Sequence, residues 1–437
     1  MNLVSLLGLF GLVGIAWLLS SDRRRFPVRV VVWGITLQLL FGLVVLSPTV
    51  QAFFFEGVDG GVRKLLSFSE QGATFVFQSI EAHQIADATG TPSVYAGRVS
   101  PPVKTFAFWI LPSIVFFSTL MAISYHLGIM QWVVRAMAWV MHRTMRTSGA
   151  ETLSTAANVF LGQTEAPLLV KPFVARMTRS ELFCVMLGGF ANTAGGVLAA
   201  YVGFLSHVPG IAGHLVTSSI LSAPATLVIA KVMQPETETP ETAGSVRLND
   251  ERPDRNVIEA AARGATEGMS LAINVAAMLI AFVGVMAAVD WVFSLAPVAV
   301  CDGTLVTGHP AGCEALSLSR VLGWVFLPVA LLLGVDFSEA ATVGMLLGEK
   351  LVLTEFVAYI HLGELMAGPE PLSPRAAIIA SYALCGFANF ASVGIQLGGI
   401  GGMAPGRMGD LAELGIRAMI GGSLATFMTA CVAGALL

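Results

Sequence analysis

Charge is scarce in this chain. Only 12% of its 437 residues are Asp, Glu, Lys or Arg, where a soluble domain carries roughly 25%. That excludes an ordinary water-soluble protein. The apolar runs also exceed the ~10-residue alternating strands of an outer-membrane barrel, which leaves a helical, multi-pass membrane protein. Other absences narrow the function. With 24 Lys and Arg against 28 Asp and Glu, there is no basic patch to hold nucleic acid. No G-x-x-x-x-G-K-[ST] loop occurs, which argues against ATP-driven transport by this chain. The seven histidines show no metal-ligand spacing, so no metal enzyme is expected. Cysteine is sparse, at five residues. Cys184, Cys385 and Cys431 lie in apolar segments and read as core. Cys301 and Cys313 flank a polar loop, where a disulfide and a pair of free thiols both remain open.

What is present is a repeat. Gly-Phe-Ala-Asn occurs at Gly189–Asn192 and again at Gly386–Asn389. Each copy follows a Thr-Glu pair, Thr164-Glu165 in the first half and Thr354-Glu355 in the second. Acids and amides inside apolar sequence are costly and mark function. Paired interruptions at corresponding positions of two halves are the sign of a secondary transporter with a site at the membrane midplane.

The expected architecture is all-α. Eight spans are predicted at about Leu3–Ser20, Val28–Leu46, Phe106–Gly128, Leu182–Leu205, Ile211–Val232, Met269–Leu295, Ala376–Gly399 and Ile416–Leu436. The charges Arg23, Arg24 and Arg25 follow the first apolar run, so it reads as a retained helix and not as a signal peptide. Lys and Arg distribution places Arg23–Arg29, Arg143–Arg146, Lys171–Arg179, Lys231–Arg263 and Arg407 in the cytoplasm, and both termini outside. Glu151–Arg179 and Phe337–Leu362 are apolar but broken, with limbs too short to span. They read as re-entrant hairpins entering from opposite faces. Val321–Val335 and the amphipathic stretch Val62–Ile80 read as interfacial. The chain thus divides into 1–105 (N-terminal helices and interfacial helix, scaffold), 106–233 (scaffold helix plus first hairpin repeat), 234–268 (cytoplasmic loop), 269–336 (scaffold and interfacial helices) and 337–437 (second hairpin repeat). The two hairpin-helix-helix units form an inverted repeat.

Three constellations carry the chemistry. Asn158 and Gly162-Gln163-Thr164-Glu165 interrupt the first hairpin, where a broken helix exposes unpaired N–H and C=O groups. The glycine-rich run around Asn192 and Thr193 permits an unwound turn. Its amide and carbonyl oxygens suit Na⁺, with Asn158 as the side-chain partner of Asn192. Glu355, Phe387, Asn389 and Ser392 bring an acid, an amide and a hydroxyl to one place, as recognition of vicinal sugar hydroxyls requires. Asn389 and Ser392 share a helix face. Lys350 is expected to cap its hairpin or to pair with a carboxylate.

Gly162–Pro167 (GQTEAP), Glu181–Met186 (ELFCVM), Ser222–Ala225 (SAPA), Thr354–Tyr359 (TEFVAY), Cys385–Phe390 (CGFANF) and Gly398–Pro405 (GGIGGMAP) resemble the concentrative nucleoside transporters, in order, from about Phe106 onward. The resemblance implies a homotrimer of eight-span protomers in a bacterial inner membrane. It also implies an elevator motion of a transport domain and nucleoside import coupled to Na⁺, with coupling to H⁺ as the alternative. It assigns the base to Gln163, Thr164 and Glu165, with Val197 and Leu271 nearby. It assigns the ribose to Glu355, Asn389 and Ser392, with Phe387 lining the pocket. A single Na⁺ would sit among Asn158, the Leu161 carbonyl, Asn192 and the Thr193 carbonyl. The family more usually has a small hydroxyl residue where this chain has Asn192. An amide oxygen can still bind Na⁺.

Overall fold

A computed structural model describes residues 2–77, 80–86, 92–98, 106–243, 254–296, 298–301, 304–308 and 314–437. Several helices begin where a side chain takes the free N–H groups of the first turn. Asn2 accepts from the Val4 N–H (2.9 Å) and opens Leu3–Leu18. Ser148 with Glu151, and Thr178 with Glu181, form reciprocal capping boxes that open Gly149–Asn158 and Arg179–Ala191. Asn256 opens the 38-residue helix Val257–Ser294. Just before it, the Arg263 guanidinium bonds Asp254 and holds that carboxyl below the usual carboxylate range.

Six described helical segments are long and apolar enough to cross a membrane: Val28–Val45, Ala107–His126, Arg179–Phe204, Ile211–Met233, Val257–Ser294 and Pro405–Leu436. The other two expected spans are the 16-residue Leu3–Leu18 and the interrupted pair Pro374–Leu384 and Phe390–Met403. Burial sorts them. Arg179–Phe204, Ile211–Met233 and Pro405–Leu436 are each 89% buried over their apolar window and form the centre, whereas Val257–Ser294 is 18% buried and lies at the edge. That long helix packs on Leu111–His126. Gly264 and Gly268 permit the approach, since a Cβ on either would lie 2.8 Å from the backbone of Thr119 or Val115.

Two units of hairpin, broken helix and long helix recur. In the first, Gly149–Asn158 leads to a tip and returns through a 3₁₀ turn, Ala166–Val170, and one helical turn, Lys171–Val174. Pro167 and Pro172 remove backbone donors and keep the returning limb from forming one regular helix. Arg179–Ala191 and Gly195–Phe204 follow, then Ile211–Met233. In the second, Phe337–Val352 and Glu355–Ala367 meet at Leu353-Thr354. Pro374–Leu384 and Phe390–Met403 follow, then Met408–Leu436. Both broken helices unwind at the Gly-Phe-Ala-Asn copy, the first of them where the glycine cluster around Asn192 predicts an unwound turn.

The structure departs from expectation in several elements. The stretch expected as a helix over Val62–Ile80 belongs to a longer helix, Pro48–Phe77, and Ile80 begins a strand. Ile80–Ala86 pairs antiparallel with Pro92–Arg98, and Val298–Cys301 pairs with Thr304–Thr307 and Glu314–Ala315. These two small sheets are additions to an otherwise helical fold. An unforeseen helix runs over Ile129–Met145, with Met130, Val134, Met141 and Met145 on its buried stripe. The segment Val321–Val335, expected as interfacial, falls in the helix Leu318–Leu333, which bends by 116° into Phe337–Val352, turning at Gly334 in the left-handed region (φ 92°). Cys313 and the side chain of Cys301 lie outside the described residues, so the question of their pairing does too.

Candidate functional site

The two Gly-Phe-Ala-Asn breaks meet back to back. A Cβ on Gly386 (φ 155°) would lie 2.8 Å from the Phe190 carbonyl oxygen and 3.0 Å from the Ala191 carbonyl carbon. Glycine is therefore required there by both conformation and space. Thr193 Oγ1 lies 3.6 Å from Cys385 Sγ, which joins one break to the other.

From this junction a continuous polar network runs through both hairpin tips. The Gln163 amide donates to Ser392 Oγ (3.3 Å). The Ser392 N–H donates to Asn389 Oδ1 (2.9 Å), so Asn389 caps the helix that carries Ser392. Asn389 Nδ2 donates to Glu355 Oε2 (2.8 Å), and the Tyr201 hydroxyl donates to Glu355 Oε1 (3.0 Å). Glu355 is 2% exposed and Asn389 likewise 2%. The Glu355 carboxylate is thus met by side chains from two other elements, Asn389 and Tyr201, and Gln163 of the first hairpin joins the network through Ser392. Phe387 is half-buried beside Asn389, and Val197 is fully buried in the same half-helix as Tyr201.

Two partners escaped the sequence reading. Tyr201 stacks on Tyr359 (ring centroids 4.1 Å apart) and so aims its hydroxyl at Glu355. Gln396, fully buried, donates to both Gln163 Oε1 (3.2 Å) and the Met186 carbonyl (3.0 Å). The available signal for Gln396 was a lone amide, one turn beyond Ser392, in an otherwise apolar helix.

Other predicted residues are placed less centrally. Glu165 accepts from the Gly162 N–H of its own tip, and its side chain is exposed; no hydrogen bond joins it to Gln163 or Ser392. Thr164 is half-buried against Gly399. Leu271 is half-buried on the long edge helix Val257–Ser294 and packs against the main core. Among the described residues Lys350 forms no ion pair, and its hydrogen bonds leave its own hairpin. Its ammonium donates to the Ala383 carbonyl (2.8 Å) and Thr426 Oγ1 (2.9 Å).

The expected cation residues lie on the first hairpin (Asn158, Leu161) and on the first break (Asn192, Thr193). Asn158 is 1% exposed, and neither its Oδ1 nor its Nδ2 has a partner. A buried amide with both polar atoms unsatisfied is costly and calls for a ligand. Asn192 Nδ2 donates to the Gly188 carbonyl (2.9 Å), and Asn192 Oδ1 accepts from Ser222 Oγ. The Gly195 N–H bonds the Phe160 carbonyl (3.0 Å), which ties the hairpin tip to the start of the second half-helix. Among the described residues no hydrogen bond ends on the Leu161 or Thr193 carbonyl. This donor set, oxygens and no thiolate or imidazole, fits a hard monovalent cation. A cavity of about 620 Å³ lies elsewhere, lined by Arg25, His142, Arg143, Arg146, Lys231 and Glu236 among others, and none of the site residues named above borders it.

An inverted pair of broken hairpins and broken helices around one buried polar cluster defines a secondary transporter. The chain belongs to the Na⁺-dependent nucleoside transporter family. The family's N-terminal region matches residues 7–80, a nucleoside-recognition gate region matches 107–208, and the C-terminal region matches 214–434. An uncharacterized transporter of Haemophilus influenzae is 40% identical, across 99% of this chain and 97% of that protein. Mouse solute carrier family 28 member 3 is 39% identical across all of this chain, which spans 59% of the mouse protein's length. CNTnw in an inward-facing substrate-bound state superposes with a TM-score of 0.84 at 38% identity, covering 99% of this chain and 98% of CNTnw. A doubly substituted CNTnw in an outward-facing state gives 0.83 at 37% identity, over 99% and 97%.

Proposed function

We propose that this protein imports nucleosides, driven by an inward Na⁺ gradient. The observation that carries the reading is the network from Gln163 through Ser392 and Asn389 to Glu355, next to an Asn158 amide with no partner. The Glu355 carboxylate can accept two hydroxyl protons, and Asn389 and Ser392 complete a surface for a vicinal diol. Gln163, with a donor and an acceptor on one amide, faces the same space from the other hairpin and suits the edge of a base. Thr164, Val197, Leu271 and Phe387 shape the apolar part, and Glu165 reaches the base if its tip opens.

Na⁺ binding to Asn158, Asn192 and the Leu161 and Thr193 carbonyls would tie the first hairpin to the first break. Each Na⁺ moved inward gains ~2.3 kcal/mol per 100 mV of membrane potential, and a neutral nucleoside adds no opposing charge. We assign the motion to an elevator, with the hairpins and broken helices travelling against a scaffold in a homotrimer. The setting is a bacterial inner membrane with both termini outside. The reaction moves solutes and makes no product, so the protein is a carrier and not an enzyme.

One observation favours H⁺ coupling as a second reading. Asn192 Oδ1 already accepts from Ser222 Oγ, which leaves that oxygen less free for an ion. Uptake in proteoliposomes separates the two readings. Accumulation that needs Na⁺ supports the first, and accumulation driven by outside acid without Na⁺ supports the second.

A further inference from the structure

Lys350 is 1% exposed in the middle of the second repeat. Burying an ammonium in a membrane protein is costly without a charged partner. Its neighbour Glu349 is taken by His361 (2.9 Å) and Ser319 (3.0 Å). Among the described residues no carboxylate lies within ion-pair distance of Lys350. The ammonium instead binds Ala383, at the C-terminal end of the half-helix Pro374–Leu384, and Thr426 on the long helix that closes the repeat. It also lies over the Phe427 ring, 5.8 Å from the centroid. A helix C-terminus carries free carbonyls and partial negative charge, and a cation is favoured there.

The first repeat holds the corresponding place without a protein cation. Asn158, on the first limb of its hairpin, sits at the C-terminal end of the half-helix Arg179–Ala191. A Cβ on Gly188 would lie 3.0 Å from Asn158 Nδ2 and 3.6 Å from Thr226 Cγ2. Thr226 belongs to the long helix that closes the first repeat, as Thr426 does in the second. Both Asn158 polar atoms and Thr226 Oγ1 are buried and without a partner. One repeat therefore has a hairpin amide and a threonine with polar atoms unmet beside a helix end. The other has a hairpin lysine that satisfies the threonine and the helix end.

We propose that the Lys350 ammonium is a built-in cation, filling in the second repeat the place that Na⁺ takes in the first. This inference rests on the Na⁺-coupled reading. It makes Lys350 a positioning residue that fixes the helix end leading to Asn389, and it leaves one exchangeable Na⁺ place per protomer.

The test is Na⁺ activation of uridine uptake in proteoliposomes for wild type, Lys350→Asn and Lys350→Met, together with Na⁺-dependent melting of each purified protein. Wild type should show a Hill coefficient for Na⁺ of about one. Lys350→Asn supplies an amide like Asn158, so a second Na⁺ should enter. Its Hill coefficient should rise toward two, its half-activation should move to roughly tenfold higher Na⁺, and its melting temperature should climb more steeply with Na⁺ than that of wild type. Lys350→Met offers no ligand and should fail to transport at any Na⁺ concentration. The proposal is overturned if Lys350→Asn keeps the wild-type Hill coefficient, if it fails to assemble even at high Na⁺, or if Lys350→Met transports normally. A wild type indifferent to Na⁺ would instead remove the Na⁺-coupled reading itself.

Discussion

Replacing Glu355 with Gln tests the ribose side of the site with little change in volume. The carboxylate is buried and accepts from Tyr201 and Asn389. Gln keeps one acceptor oxygen and turns the other position into a donor. That donor meets Asn389 Nδ2, itself a donor, or the Tyr201 hydroxyl, which can reverse and accept. In the bound state the carboxylate would receive two ribose hydroxyls. A hydrogen bond to a charged group contributes about 1.5–3 kcal/mol. A neutral hydrogen bond contributes about 0.5–1.5 kcal/mol, so losing the charge-assisted character of both costs about 2–3 kcal/mol, or roughly 30- to 140-fold in affinity at about 1.4 kcal/mol per tenfold. Uridine binding to the purified Glu355→Gln protein should weaken by that factor and uptake should vanish, while the assembled protein elutes as wild type does. The matched control is 2′,3′-dideoxyuridine, which has neither hydroxyl. Its binding should change less than about threefold. Equal losses for the two ligands would show that Glu355 acts on the fold and not on the ribose, and retained uridine uptake would remove it from the site.

Three further outcomes follow from the same geometry. Asn158→Ala should raise the Na⁺ concentration for half-activation at least tenfold. It should leave the Na⁺-free melting temperature unchanged or slightly higher, because the amide it removes has no partner. A marked loss of Na⁺-free stability would contradict this. Tyr201→Phe should weaken uridine binding about fivefold, from one lost hydrogen bond of about 1 kcal/mol; an unchanged dissociation constant would show that Tyr201 does not tune Glu355. Gly386→Ala places a methyl 2.8 Å from the Phe190 carbonyl and should destabilise the protein by about 1–3 kcal/mol, seen as a lower melting temperature. Wild-type melting would mean the two breaks are not held in contact.

Much of the candidate site was legible because its residues break rules that membrane sequence otherwise obeys. Glu355, Asn389 and Asn158 are polar groups where apolar ones are cheap, and the duplicated Gly-Phe-Ala-Asn marked where both helices unwind. Lys350 was visible as an anomaly, but its partner was not. Ala383 offers only a backbone carbonyl, and any residue type would have supplied it. Tyr201 was hidden because a tyrosine in an apolar helix reads as core until its stacking on Tyr359 sets the direction of its hydroxyl. The helix Ile129–Met145 was missed because Arg135 and His142 interrupt its hydropathy. Its period is plain only from the buried stripe of Met130, Val134, Met141 and Met145. The strands Ile80–Ala86 and Pro92–Arg98 are short polar pieces whose pairing is set by contact along the chain and not by composition.

The proposed function is that a gradient of Na⁺ drives nucleosides through the Glu355 and Asn389 site. Its most direct test is uptake of labelled uridine and adenosine into proteoliposomes with an inward Na⁺ gradient, repeated with choline in place of Na⁺ at fixed pH. Accumulation above equilibrium is expected with Na⁺ and none with choline. Equal uptake in the two buffers, or no uptake of either nucleoside by an intact assembly, would contradict it.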